Sequence, residues 1–108
     1  FQAGVLADFV SKNSEYRILL TGDFNCASTE NTFGVIKSAG FKSSADVAFV
    51  KENLGATFHN YGSSSKVLDY CFLKGDGIYI GKYKVVKDKI DGEYPSDHFP
   101  LYVEFLFR

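Results

Sequence analysis

The stretch that decides the fold is KVLDYCFLKGDGIYIGKYKVVK, residues 66–87. Its first part, Lys66 to Lys74, is a nearly unbroken apolar run of strand-forming residues, the pattern of a strand buried on both faces. Its second part, Ile78 to Lys87, alternates in part between apolar and polar residues, as a half-buried strand does. Gly75-Asp76-Gly77 lies between them as a turn, and so short a connection predicts an antiparallel pair. One residue is out of place: Asp69 stands among Val67, Leu68, Tyr70 and Phe72, where a carboxylate is costly unless something pairs with it.

Outward from that stretch, the pattern alternates between helix and strand. Val5, Leu6, Phe9 and Val10 share one helical face, which predicts a helix from about Gln2 to Lys12. Arg17 to Thr21 reads as a short strand buried on both faces, followed by a loop from Gly22 to Ser28. Ser28 or Thr29 can cap a second helix whose apolar face is Val35, Ile36 and Ala39, with Gly40 as its C-terminal stop. Residues 41–53 have poor periodicity, although Phe49 and Val50 call for burial. Gly62 to Ser65 and Lys89 to Asp97 read as loops, and Phe99 to Phe107 as the last strand. Helix, strand, helix and three strands predict an α/β (α+β) chain with a mixed β-sheet covered by flanking helices.

Bulk properties narrow the function. The chain has 108 residues, 45% of them hydrophobic, enough to bury a core as one domain or a piece of one. Its 12 Lys and Arg against 13 Asp and Glu give a net charge of −1, with no basic excess toward nucleic acid or a membrane. No apolar run approaches the ~20 residues of a membrane span. Cys26 and Cys71 fit no zinc or redox spacing and read as free thiols, one disulfide being the alternative, so the compartment stays undecided. There is no Met and no leader pattern, so the expectation is a fragment of something longer.

The residues able to carry chemistry fall near strand ends. Asp23 and Asn25, in LLTGDFN (residues 19–25), offer an acceptor and a donor from one loop, which suits a water held beside a phosphate oxygen. Asp97 and His98, in PSDHFPL (residues 95–101), offer a hard oxygen ligand and an imidazole. His98 is the best partner for Asp69: the carboxylate fixes the tautomer and favours the imidazolium, leaving the other ring nitrogen for a substrate. Each cluster has an ordinary reading, a turn, a strand start, or an Asp69–Lys66 ion pair. Three together make the ordinary reading weaker. His59, in ATFHNYG (residues 56–62), reads as a hydrogen-bonded or solvent-facing loop residue, and Cys71 as a buried thiol close to Asp69. Tyr79, Tyr83, Tyr102 and the phenylalanines from Phe72 to Phe107 read as core, and Lys82, Lys84, Lys87 and Lys89 as a solvated edge.

ILLTGDFN, VLDYCFL and SDHFPL, in this order, resemble the C-terminal signatures of the endonuclease/exonuclease/phosphatase superfamily, the DNase I-like proteins. The resemblance spans Ile18 to Leu101. It implies a four-layer β-sandwich and cleavage of a phosphodiester or phosphomonoester with Mg²⁺ or Mn²⁺ and an in-line water. By it, Asp23 orients or deprotonates the water, Asn25 binds the phosphate, Asp69 orients His98, His98 contacts the phosphate, and Asp97, with Asp23, serves the metal. The division of labour between Asp23 and Asp97 is left open.

Leu68 and Cys71 replace the usual isoleucines of the middle motif, which are tolerable apolar exchanges. The family's N-terminal half supplies an Asn, a metal-binding Glu and a Tyr or His that nothing before Asp23 matches. Residues 1–108 are therefore expected to be the C-terminal portion of the domain, inactive alone. Its partners would be the missing N-terminal half and a phosphate-ester substrate, which could be nucleic acid, phospho-sugar or lipid headgroup. An uncovered apolar face predicts dimerisation of the fragment. The alternative is a non-catalytic binding or scaffold module that keeps the fold.

Overall fold

The computed structural model describes residues 3–25 and 30–108. Helix α1 (Ala3–Lys12) leads to strand β1 (Ile18–Asp23), helix α2 (Asn31–Ser38) and the short strand β2 (Lys42–Ser43). A turn of helix, α3 (Ser44–Val47), precedes β3 (Val50–Glu52), and a 3₁₀ turn at Asn60–Gly62 precedes β4 (Asp69–Lys74), β5 (Ile78–Val85) and β6 (Leu101–Phe107). The Ser28 or Thr29 cap and the Cys26 thiol lie outside the described residues; Glu30 occupies the cap position of α2 without a side-chain hydrogen bond. Gly40 ends α2 as expected, at φ 98°.

The strands form two three-stranded sheets, in the orders β1-β4-β2 and β3-β5-β6. The first is antiparallel throughout, and the second is mixed, with β3 parallel to β5 and β6 antiparallel to it. The predicted pairing of the fourth and fifth strands is therefore wrong. Both edges of β4 are taken by β1 and β2, so Gly75-Asp76-Gly77 carries the chain across to the other sheet instead of closing a hairpin. Gly77, at φ 75°, lies against the chain end: a Cβ there would be 2.4 Å from the Arg108 carbonyl oxygen. Arg108 in turn donates its amide to the Gly77 carbonyl at 2.8 Å.

Alternation along β4 builds two cores. Tyr70 and Phe72 face the helices and pack with Val10, Phe24, Ile36 and Phe41; the Phe72 ring lies 5.3 Å from Phe24 and 5.1 Å from Tyr70. Leu73 faces the second sheet and packs with Ala48, Ile78, Ile80, Tyr83 and Val85. Asp69 and Cys71 share that second face, which leads to the site.

Several expected burials fail at the periphery. Val5 and Phe9 are exposed while Val10 is buried, so α1 inserts one edge of its apolar stripe. β1 is only half buried, because it pairs on one side alone. Phe49, between α3 and β3, is 80% exposed, and Val50, at the start of the short β3, is exposed as well, at the margin of the second sheet. Of the aromatics read as core, Phe72 and Tyr83 are buried, whereas four are about half exposed: Tyr79 and Tyr102 on the outer face of the second sheet, and Phe105 and Phe107 on its inner face toward the end of β6.

Candidate active site

The stretch Gly22-Asp23-Phe24-Asn25 resolves by alternation. Phe24 turns inward, 5% exposed in the helix-side core, and its amide donates to the Leu68 carbonyl at 2.9 Å. Asp23 and Asn25 are thereby left outside. Asn25 adopts φ 49°, which Asn tolerates, and donates its amide to Asp23 Oδ1 at 2.8 Å. The stretch is thus a turn that leaves Asp23 at the cleft, while Asn25 makes its one described contact with Asp23.

Asp23 sits directly across the β1–β4 ladder from Asp69. Like charges in that position repel unless something lies between them. His98 supplies it. Its Nδ1 is 2.8 Å from Asp69 Oδ2, and its Nε2 is 3.8 Å from Asp23 Oδ2 and 4.0 Å from Asp97 Oδ1. The predicted Asp69–His98 pair is present, and Asp69 makes no ion pair with Lys66 among the described residues. The hydrogen bond that Nδ1–H donates to Asp69 is the main reason the imidazole pKa lies above its ordinary value. Partial burial opposes that shift, and the charges of Asp69, Asp23 and Asp97 add to it.

These groups open on a cleft of about 510 Å³ between the two sheets, lined by Thr21, Asp23, Asp69, Cys71, His98 and Phe105 among others. Asp23, Asp69 and His98 each present a ligand atom within 4.8 Å of the others. His98 Nδ1 is spent on Asp69 and Asp23 Oδ1 on the Asn25 amide, so Asp23 Oδ2, beside His98 Nε2, and the half-exposed carboxylate of Asp97 are the hard oxygen atoms next to the imidazole.

Cys71 is a free thiol in the cleft wall, its pKa raised by burial. His59 is buried, not solvent-facing: Nδ1 accepts from the Tyr61 amide at 3.1 Å, and the ring packs 4.3 Å from Phe99 and 4.6 Å from Tyr94. Lys82 and Lys84 pair with Glu52, while Lys87 and Lys89 lie over Phe99 and Tyr94, so the basic run is internally engaged. Sequence reasoning missed Phe58, whose ring lies 4.9 Å from that of His98, and Thr57, whose buried hydroxyl accepts from the Asp69 amide. Their only signal was a Thr and an aromatic beside a loop histidine.

No protein-family model matches the chain, and no curated protein matches it. Solved structures do. A conserved protein of unknown function from Enterococcus faecalis is 30% identical, with a TM-score of 0.83 over 97% of this chain and 42% of its own. An endonuclease/exonuclease/phosphatase family protein from Bacteroides thetaiotaomicron is 24% identical, with a TM-score of 0.85 over 98% of this chain and 43% of its own. A mannosyl-6-phosphatase of the same organism is 24% identical, with a TM-score of 0.83 over 97% of this chain and 44% of its own. The chain has the fold of the endonuclease/exonuclease/phosphatase proteins, the family its three motifs resemble. It spans about two fifths of the length of these structures.

Proposed function

We propose that this chain is the C-terminal portion of a divalent-metal-dependent phosphoester hydrolase, and that it is inactive without the rest of the domain. The observation that carries the reading is the single histidine held between facing aspartates, its Nδ1 on Asp69 and its Nε2 turned toward Asp23 and Asp97 at the mouth of one cleft. An imidazolium in that setting donates Nε2–H to a phosphate oxygen. Asp23 accepts the proton of the attacking water or orients it, and Asn25 helps hold the phosphate. Asp23 and Asp97 would hold Mg²⁺ or Mn²⁺, which supplies neutralisation of phosphate charge. One or two carboxylates hold such an ion weakly, hence the expected inactivity of the isolated chain.

A mannosyl-6-phosphatase among the similar structures favours a phosphomonoester on a sugar as substrate. The net charge of −1 over these 108 residues is a mild argument against a dedicated DNA binder, since duplex affinity rests largely on cationic contacts to phosphates. The test is Mg²⁺- and Mn²⁺-dependent hydrolysis of p-nitrophenyl phosphate and bis-p-nitrophenyl phosphate by the protein that carries this chain, with the 108-residue chain assayed beside it. Turnover by the whole protein alone is expected. Turnover by neither on any phosphate ester would replace the reading with the non-catalytic module.

A further inference from the structure

The Asp69–His98 contact joins segments far apart in sequence, and one buried residue ties both together. Thr57 Oγ1 accepts from the Leu68 amide at 3.0 Å and from the Asp69 amide at 3.0 Å. The Thr57 carbonyl accepts from the Phe99 amide at 2.7 Å, one residue past His98. Thr57 is 0% exposed, so water does not compete for these bonds. The residues that follow it hold the same loop: the His59 and Asn60 amides both donate to the Asp97 carbonyl, at 2.9 and 3.2 Å.

We propose that Thr57 is the positioning residue of the Asp69–His98 pair. Its hydroxyl fixes the backbone from which Asp69 projects, while its carbonyl fixes the backbone beside His98. A residue of this shape without the oxygen leaves a buried and a partly buried N–H group unpaired, and relieving them moves the start of β4. The consequence for turnover rests on the hydrolase reading above; the geometric claim does not.

The test compares Thr57→Val and Thr57→Ser in the protein that carries this chain. Thr57→Val is expected to lower kcat by about 10²-fold with KM little changed, since a misplacement near 1 Å costs about that much. Its crystal structure should show Asp69 Oδ2 drawn away from His98 Nδ1, and the downfield imidazole N–H proton resonance of that hydrogen bond should vanish. Thr57→Ser keeps the acceptor and should restore turnover, contact and resonance together. A folded Thr57→Val protein with the contact and resonance intact would overturn the proposal, as would a Thr57→Ser protein that lacks them. Should the Val variant not fold, Thr57→Cys takes its place: sulfur is a weak acceptor, and retention of the resonance at full strength would count against the proposal. If the wild-type protein hydrolyses nothing, the hydrolase reading fails while structure and resonance still decide the role of Thr57.

Discussion

At the scale of single residues, one imidazole reconciles two carboxylates that face each other across a ladder. Asp69 is less exposed than Asp23 and makes the shorter contact, so Asp69 controls the tautomer of His98. Replacing Asp69 with Asn keeps shape and removes the charge. In the protein that carries this chain, Asp69→Asn should lower turnover by about 10²- to 10⁴-fold with the fold unchanged, checked by steady-state kinetics beside circular dichroism. Near-normal turnover would end the pairing role. The raised pKa of His98 has a second consequence. A group whose folded pKa lies above its unfolded value adds stability that is complete below about pH 6.5 and lost as pH rises through the folded value. Metal-free wild type should therefore exceed His98→Gln in stability most at mildly acid pH, the gap closing toward alkaline pH. Urea denaturation across pH reads it, and a gap that widens with pH would refute the charge arrangement.

Elements were legible where periodicity and punctuation agreed, and connectivity was not. The apolar run through Phe72, the alternation of β5 and the Gly40 stop each state a local preference that the fold obeys. Whether two consecutive strands pair is a different matter, because it depends on which edges other strands occupy. Residues 41–53 became three short pieces, β2, α3 and β3, each too brief to carry a period, and two of them claim edges of the central strands. The candidate site was legible for a related reason: Asp69 breaks the apolar pattern around it, and His98, with Asp97, stands where a polar loop meets the last strand. Thr57 breaks no pattern, since a buried threonine suits any strand-rich core. The crossover at Gly77 is testable. Gly77→Ala meets both a positive φ and the Arg108 carbonyl, whereas Gly92→Ala meets a positive φ of 79° and open space. Gly92→Ala should cost about 1–2 kcal/mol from backbone strain alone, and Gly77→Ala clearly more, by urea denaturation of the two variants. Equal losses would mean that the close approach at Gly77 contributes nothing.

At the scale of the molecule, the two sheets are open on the side where the candidate site lies. β1 and β6 each have one partner among the described strands, and the cleft runs between them. The radius of gyration is 14.6 Å, against about 13 Å for a compact chain of this length. The accessible surface, 6684 Å², likewise exceeds the about 6,000 Å² of a compact monomer of 12.0 kDa. The excess is apolar at β6: Phe105 and Phe107 are each 47% exposed, although they share the face whose earlier residues, Leu101 and Val103, pack into the inter-sheet core. An edge strand with bare amides and exposed rings is a template for pairing with another chain. The 108-residue chain on its own should therefore self-associate and bind a dye for apolar surface. Phe105→Lys with Phe107→Lys should shift it toward monomer, because charges on the edge oppose pairing while the buried residues of both cores are untouched. Sedimentation equilibrium of the two proteins at matched concentration measures the shift. A compact wild-type monomer without dye binding would mean that the exposed face of β6 is tolerated by solvent and is not a template for pairing.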